Sequence, residues 1–268
     1  MMRVRDITAA LESFAPLSLQ EKWDNSGLCI GSPDQEVHGV LLGFDCTPEL
    51  VEEAVGCGAD LIVTHHPLIF GGLKRITPED PVGLAVIRAV RSGVAVYAAH
   101  TTADKVPAGV SGAMARRLGL VHLSVLEPDG TRFLDGGEET VGMGMVGDWP
   151  EGLSAPEAVA RVKEAFGLGQ VRCSRLIDTP IRRVAVCGGS GSSLIGAALA
   201  AGAQLYLSGD ISYHHFFTPE GFMLMDVGHF ESEVEIVGIL YSLLKKNFPN
   251  FAVRVSKTLK DSNPIQIL

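Results

Sequence analysis

The sequence predicts an α/β fold, a two-lobed subunit of βαβ units with mixed, largely parallel sheets. Short apolar strands alternate with helical segments of about 10–15 residues, which is the pattern of βαβ units. A turn-rich middle segment divides the 268 residues into expected lobes at 1–128 and 129–268. Polar residues directly follow several strands, and open α/β sheets bind ligands at the carboxyl ends of their strands. We therefore expect the binding site in a cleft at those ends.

The elements of the first lobe follow from residue spacing and from helix end signals. Val4, Ile7 and Leu11 are spaced as on one face of a helix, which Pro16 ends. Thr47 followed by Pro48 is typical of an N-cap and first helical turn. The predicted order is a helix at 3–15, a strand at 37–45, a helix from Thr47 to about Gly56, a strand at 60–64, a helix at 81–93, a strand at 94–100 and a helix at 109–119.

The second lobe begins with turn-rich sequence and then resumes the alternation. The segment EPDGTRFLDGGEET at 127–140 is rich in turn-forming residues and contains the expected boundary between the lobes. Ser154 and Glu157 form a capping box that opens a helix. The predicted order is a half-exposed strand at 140–149, that helix to about Phe166, strands at 171–177 and 182–189, a helix at 192–203, strands at 204–208 and 221–228, a long amphipathic helix at 230–248 and a strand at 251–256.

Composition is that of an ordinary globular protein and argues against several functional classes. The net charge of −9 lacks the basic footprint of a nucleic-acid partner. The five cysteines are irregularly spaced without a C-x-x-C pair, which argues against disulfides or a thiolate zinc site and favours a reducing, cytoplasmic location. Asp6 and Glu12 interrupt the stretch that a signal peptide would need. No apolar run reaches about 18 residues, so we expect no membrane contact.

Five residues of the metal-ligand type lie at predicted strand ends or at a helix start. His65 and His66 follow one strand and Asp104 follows another, while His229 and Glu233 lie four residues apart where the long helix begins. Imidazole and carboxylate groups suit a hydrolytic metal centre, and residues i and i+4 share a helix face. Each histidine alone could simply cap a strand, and the glutamate could complement the helix dipole. The coincidence of three strand ends favours a metal centre.

Other polar residues near these strand ends have roles that spacing leaves open. His100 is either a ligand or a group that orients one. Asp210 with His214 and His215 is either an acid–base or substrate-binding group, or a turn with surface histidines. The segment CGGSGSS at 187–193 is either a phosphate-cradling turn without a Walker lysine or a tight strand–helix turn. Trp23 is expected to pack against the protein rather than to stack on a substrate.

Seven segments together resemble a known family. WDNSGL, GFDCTPELVEEA, THHPLIF, AAHTTAD, CGGSGSS, GDISYHH and DVGHFESE occur in the same order as in the Nif-three-like family, also called GTP cyclohydrolase 1 type 2 homologues. Thr102 stands where that family usually has asparagine. The resemblance implies a two-lobed α/β subunit, a ring-shaped homohexamer and two divalent metal ions per subunit. It also implies that the metal ligands are His65, His66, Asp104, His229 and Glu233.

The expected function is that of a divalent-metal-dependent hydrolase with a dinuclear centre. The resemblance points to a small-molecule substrate, a purine nucleotide such as GTP, in a GTP cyclohydrolase type 2-like reaction. Nitrogen and oxygen donors suit Zn, Mn, Fe, Co or Ni and do not choose among them. The expected catalytic residues are His214 and His215, which would move a proton to the leaving group. The alternative is a non-catalytic factor for metal binding, metal trafficking or protein interaction.

Overall fold

Helices and strands alternate along the chain. The computed structural model describes residues 1–134 and 137–267, so Asp135 and Gly136 of the turn-rich segment lie outside the described residues. The helices are α1 Val4–Phe14, α2 Pro48–Cys57, α3 Pro81–Ser92, α4 Thr101–Asp104, α5 Val110–Arg117, α6 Ala155–Phe166, α7 Ile195–Ala200, α8 His229–Glu233 and α9 Glu235–Asn247. The strands are β1 Gly27–Ile30, β2 Gly39–Leu42, β3 Leu61–Thr64, β4 Ala95–Ala98, β5 Val121–Leu134, β6 Gly137–Leu153, β7 Arg172–Cys173, β8 Ile181–Ser190, β9 Leu205–Gly209, β10 Met223–Asp226 and β11 Ala252–Val255.

The chain divides into two compact units that differ from the expected lobes 1–128 and 129–268. The first unit is Met1–Ala103 with Ile236–Leu268, and the second is Asp104–Glu235. Strand pairing explains the difference at one end, because β11 pairs in parallel with β2 and so completes the first unit's sheet. At the other end, β5 runs through position 128 without a break and pairs with β6 over most of its length.

The first unit is built on a five-stranded sheet in the order β1-β4-β3-β2-β11. In the described chain, β4, β3, β2 and β11 pair in parallel and β1 is an antiparallel edge strand, so the expected largely parallel sheet is confirmed here. Every position of β2, β3 and β4 is buried, as in strands covered on both faces. Apolar side chains of α2 and α3 pack together on Leu41, Ile62 and Val96.

Helices α2 and α3 both begin with side-chain caps. The Thr47 hydroxyl accepts a hydrogen bond from the Leu50 backbone N–H at 3.2 Å, which confirms the predicted N-cap. The Asp80 carboxylate caps α3 in the same way, through the Gly83 N–H at 2.9 Å. Because α2 follows β2 after a short turn, this cap also fixes the turn that carries Asp45.

The second unit contains a six-stranded sheet in the order β5-β6-β8-β9-β10-β7. Among the described strands of this sheet, only β8, β9 and β10 pair in parallel, so the sheet is mixed rather than largely parallel. Alternate residues of β8 face opposite sides, as the two-residue period of a strand requires. Val184 and Val186 pack in one buried cluster with residues of α5 and α6, while Ala185 and Cys187 pack in another with Ala198 of α7.

Three predicted elements differ in the structure. The turn-rich segment is a long hairpin of β5 and β6, in which Thr131 lies opposite Thr140 and the register shifts between Pro128 and Gly130. The strand predicted at 171–177 is reduced to the two residues of β7. The long helix predicted at 230–248 is divided into α8 and α9 at Val234. Within the described ranges, no helix combines the length and the apolar character needed to span a membrane.

Candidate metal centre

Three histidines of the first unit lie at the edge where its parallel strands end. His65 and His66 directly follow β3, and His100 follows β4 after one residue. One ligand nitrogen from each ring lies within 4.8 Å of the other two. His65 is fully buried, and the other two are half-buried. The group therefore has the donor type and spacing that could hold a metal ion.

The Nδ1 atoms of the paired histidines are each held by an oxygen acceptor. His65 Nδ1 lies 2.9 Å from the Ala99 carbonyl oxygen, and His66 Nδ1 lies 2.7 Å from Asp45 Oδ1. Such acceptors require the proton on Nδ1, so the lone pair of each neutral ring is on Nε2. Metal-binding histidines in proteins are oriented in this way by carboxylates and backbone carbonyls.

His100 is oriented by Asp24, which lies just before β1. Its Nδ1 is 2.7 Å from Asp24 Oδ1, and Asp24 also accepts from the hydroxyls of Ser26 at 2.6 Å and Thr101 at 2.5 Å. Burial of Asp24 acts to raise its pKa, but the hydrogen bonds from His100, Ser26 and Thr101 outweigh it and hold the pKa well below its usual range. Because β1 is antiparallel to β4, its start lies at the strand edge that carries His100.

In the second unit, the predicted ligand Glu233 lies close to two others, His229 and Asp104. His229 Nδ1 lies 2.7 Å from Asp210 Oδ2, and His229 Nε2 lies 3.0 Å from Glu233 Oε2 across one turn of α8. Two donor atoms that bind one metal ion at right angles, each with a bond of about 2.1 Å, lie about 3.0 Å apart. The separation of His229 Nε2 and Glu233 Oε2 matches this distance. A carboxylate oxygen of Asp104 lies within 4.8 Å of one from Glu233, and both side chains are buried.

Glycines make room for these ligands. A Cβ atom on Gly189 would lie 2.2 Å from Glu233 Oε1, and the φ of Gly189 is +60°, a left-handed value that favours glycine. A Cβ on Gly209 would lie 2.8 Å from the backbone N and Cα of His229. Glycine is therefore needed at position 189 because the Glu233 carboxylate approaches the backbone there.

The CGGSGSS segment is a tight strand–helix turn whose amides are used within the fold. A phosphate-cradling turn would direct its backbone N–H groups at a ligand. Here three of the glycine N–H groups donate to serine hydroxyls instead. These hydrogen bonds are Gly188 to Ser111 at 3.4 Å, Gly189 to Ser232 at 3.0 Å and Gly191 to Ser208 at 2.9 Å.

The donor set of the second unit fits a divalent cation. Two buried carboxylates at this separation repel one another when both are ionised, and a bound cation offsets this repulsion. Cys187 lies near them, and burial, followed by the negative charges of Asp104 and Glu233, raises the pKa of its thiol to about 12. Among the described residues, the groups that could hold a metal ion consist of histidines and carboxylates and do not include Cys187.

A cavity of about 520 Å³ lies beside His66 in the first unit. It opens between the starts of α2 and α3, and Asp45 and Glu49 are among its polar lining residues. Apolar side chains such as Leu68 and Val82 form much of the remaining wall. This volume is in the range of small-molecule sites in proteins.

The predicted catalytic residues His214 and His215 are exposed on a short 3-10 turn, Tyr213–Phe216, after β9. His215 Nδ1 lies 3.0 Å from the Ser212 hydroxyl, and the His214 ring meets the ring of Tyr213 edge-on. Within residues 1–134 and 137–267, the histidine–carboxylate groups that could hold a metal do not include either residue.

Sequence reasoning missed three orienting carboxylates. Asp45 and Asp24 were not singled out, and the role of Asp210 was left open between acid–base chemistry and a turn. A signal was present, because Asp45 follows β2, Asp210 follows β9 and Asp24 precedes β1, all at edges that carry histidines. The signal could not identify partners, since strand ends are commonly polar.

The fold and the donor groups define an α/β protein with two mixed sheets and histidine–carboxylate groups that could hold metal. The family model Duf34/NIF3 (NGG1p interacting factor 3) matches residues 2–264. The chain belongs to this family, which confirms the resemblance drawn from its motifs.

Individual relatives are similar to this protein over nearly the whole chain. A Streptomyces coelicolor protein named GTP cyclohydrolase 1 type 2 homolog is 34% identical over 271 residues, covering 97% of this chain and 93% of the relative. A Clostridium perfringens protein of the same name is 30% identical over 263 residues, covering 97% and 98%. The solved structure of a Bacillus cereus protein related to NIF3 shares the fold, with a TM-score of 0.90, 24% identity and coverage of 100% and 99%.

Proposed function

We propose that this protein is a divalent-metal-dependent hydrolase with a dinuclear metal centre. The proposed ligands are His65, His66, Asp104, His229 and Glu233. The observation that carries the proposal is that each of these histidines has its Nδ1 tied to an oxygen acceptor, which leaves the Nε2 lone pair for a metal.

The protein's own residues would have two separate roles, which are to hold the metal ions and to move a proton. The ligand histidines supply neutral nitrogen donors, and Asp104 and Glu233 supply negative charge to balance the cations. When bound, divalent ions supply Lewis-acid chemistry, which polarises a substrate oxygen and lowers the pKa of water. His214 or His215, both exposed to solvent, would donate a proton to the leaving group.

The proposed substrate is a small molecule, a purine nucleotide such as GTP. The names of the Streptomyces and Clostridium relatives support this choice, and the cavity beside His66 offers the space. The proposal also includes a homohexamer, which the resemblance of the motifs implies, and a cytoplasmic location, which the cysteine pattern favours.

The test combines defined metal loading with a substrate panel. Purified protein is loaded with Mn, Zn, Fe, Co or Ni and assayed on nucleoside triphosphates and phosphoesters. Glu233→Gln is expected to abolish turnover and to lower the number of ions bound, whereas the exposed Glu235→Gln, two residues further on, should change neither. Turnover that survives Glu233→Gln would contradict the proposal. Fast, reversible metal release without any turnover would support the alternative of a metal carrier.

A further inference from the structure

Two aromatic side chains of the first unit are exposed next to His100. Trp23 is 57% exposed and Phe70 is 56% exposed. Their ring centroids are 5.8 Å apart with the planes inclined at 49°. Each ring also meets the ring of His100 edge-on, at centroid distances of 6.1 Å for Trp23 and 6.0 Å for Phe70. The two rings therefore form an open corner beside the histidine group, which we call the aromatic corner.

The loops that carry the aromatic corner are fixed by hydrogen bonds. Asn25 Nδ2 donates to the Ile69 carbonyl at 2.6 Å, which joins the Trp23 loop to the Phe70 loop. The Asp24 carboxylate holds the same loop to His100 and to Thr101. The neighbours of both rings are thus anchored while the rings themselves face solvent. Rings presented in this way lose little conformational entropy when a ligand binds.

We propose that the aromatic corner is a stacking site for a planar nitrogen heterocycle, the nucleobase ring of the substrate. This inference rests on the proposed function and adds to it the residues that bind the ring. A nucleobase can stack on one aromatic face and meet a second ring at its edge, which are the two favoured arrangements of aromatic pairs. The inclination of 49° suits this pairing, whereas a slot for a sandwiched ring would need nearly parallel planes.

The chemistry of the corner favours a neutral ring over an organic cation. Cages for quaternary ammonium groups combine several aromatic faces around the cation. The carboxylate next to Trp23 in the chain, Asp24, has a fully buried side chain whose oxygens face His100, Ser26 and Thr101. It therefore does not offer its charge to a ligand on the exposed faces of Trp23 and Phe70.

The corner also lies close enough to the histidines to position a substrate. The His100 ring that touches both aromatic rings is 5.3 Å from the ring of His65 and 5.4 Å from that of His66, centroid to centroid. A base stacked at the corner would therefore lie beside the first unit's histidine group. Trp23 and Phe70 would act as positioning residues without touching the reacting bond.

Tryptophan fluorescence gives a direct readout of the corner. The chain contains two tryptophans, and the other one, Trp149, is fully buried and donates to the Leu118 carbonyl at 2.8 Å. Metal-free protein is titrated with guanosine 5′-monophosphate, with ribose 5-phosphate as a probe that has no ring. We expect saturable quenching by the nucleotide and none by the sugar phosphate, and we expect Trp23→Phe to abolish the quenching signal.

Binding is then measured independently of fluorescence by equilibrium dialysis. Trp23→Ala and Phe70→Ala should each weaken nucleotide binding by about 10-fold, in line with the loss of one stacking contact. Trp23→Phe should restore most of the affinity because it keeps an aromatic face. Phe133→Ala is the matched control, since Phe133 is 77% exposed in the second unit and should leave binding unchanged.

The outcomes separate this inference from the proposed function. Two results would overturn the proposed stacking site even if metal binding and turnover are observed. One is that ribose 5-phosphate binds as tightly as the nucleotide, and the other is that Trp23→Ala and Phe70→Ala leave nucleotide affinity unchanged. Trp23 emission that depends on protein concentration rather than on nucleotide would also overturn it, because a second copy would then cover the corner. If the nucleotide quenches Trp23 emission but the protein binds no metal, the stacking site is supported and the proposed metal-dependent hydrolase function is contradicted.

Discussion

At the level of single side chains, the candidate centre depends on which ring nitrogen of each histidine carries a proton. His65, His66, His100 and His229 each have Nδ1 within hydrogen-bond distance of an oxygen acceptor. In three of the four pairs the acceptor is a carboxylate, which also makes the imidazole a stronger donor to a metal. The carboxylates are therefore as much a part of the centre as the rings that they hold.

Asp210→Asn tests this arrangement at His229. Asparagine tolerates the φ of +51° at this position, so the backbone should be preserved while the negative charge is lost. We expect metal affinity to fall by about 10-fold or more, the usual effect of altering a group that orients a ligand. Competition with a chromogenic chelator measures the affinity. Asp34→Asn, at an exposed surface ion pair with Arg3, is the control and should bind metal like wild type.

Gly189→Ala tests the space that Glu233 requires. The added Cβ would lie 2.2 Å from Glu233 Oε1. The left-handed backbone alone should cost about 1–2 kcal/mol in free energy of unfolding, and displacement of the carboxylate should weaken metal binding. Gly196→Ala in α7 is the control, because its Cβ would have no neighbour within 4 Å and alanine favours a helix. Wild-type metal affinity in Gly189→Ala would show that the ligand set lacks Glu233.

The lowered pKa of Asp24 predicts that the folded protein loses stability in acid. Folding lowers the pKa of Asp24 from its usual 3.8, so its ionised form stabilises the folded state at every pH above that value. The contribution is lost as the pH falls through the usual value toward the lower pKa of the folded state. We expect metal-free wild type to lose more unfolding free energy than Asp24→Asn between about pH 5 and pH 2. Denaturant titrations at each pH measure this difference, and parallel curves would refute it.

Single residues also show how far the site could be predicted from sequence. The grouping of His229 with Glu233 follows from their spacing of four, because helix geometry places such residues on one face. The pairing of His229 with Asp210, or of His100 with Asp24, joins positions that are 19 and 76 residues apart. Sequence shows that these carboxylates are present but not which ring each one meets, since that depends on strand order.

At the level of elements, both units bring their candidate ligands together at the ends of neighbouring parallel strands. Asp45, His65 and His66 follow parallel neighbours β2 and β3, while Asp210 and His229 follow parallel neighbours β9 and β10. Parallel strands end at a common edge, so residues from distant segments are brought side by side. In the first unit, α2 begins at this edge after β2, and its Thr47 cap holds the turn that carries Asp45.

Thr47→Ala tests the cap of α2. Loss of the hydrogen bond to the Leu50 N–H should cost about 1 kcal/mol in free energy of unfolding. Because Thr47 belongs to the turn after β2, the change should also weaken metal binding modestly through Asp45. Ser242→Ala, at an exposed position of α9, is the matched control and should change stability by less than about 0.5 kcal/mol. Equal effects in the two variants would mean that the cap does not stabilise α2.

Elements with strong local signals were predicted, and elements that depend on distant pairing were not. Thr47-Pro48 and the Ser154–Glu157 capping box start α2 and α6 where expected. The β5–β6 hairpin was read only as turn-rich sequence because Pro128 and Gly130 lie at a bulge, where Gly142, opposite Pro128, has a φ of +153°. Turn residues look alike in a loop and in a bulged strand until the partner strand is known.

At the level of the whole molecule, bound metal should stabilise the folded chain. Any ligand that binds only the folded state raises the free energy of unfolding by mass action, by about 2.7 kcal/mol at 100 times its dissociation constant. We expect a chelator to lower the melting temperature and added Mn to restore it. His229→Ala should lose this response, whereas the exposed His38→Ala should retain it. Identical melting with and without metal in wild type would contradict a structural role for the ions.

The pairing of β11 with β2 has a consequence for how the protein is made. The second unit, Asp104–Glu235, lies between the two segments of the first unit in the chain. A ribosome therefore synthesises the whole second unit before it reaches the strand that completes the first sheet. Until then β2 presents an unpaired edge, a surface on which nascent chains aggregate. The second unit can fold while translation continues, and the first must wait for residues 252–255 to emerge.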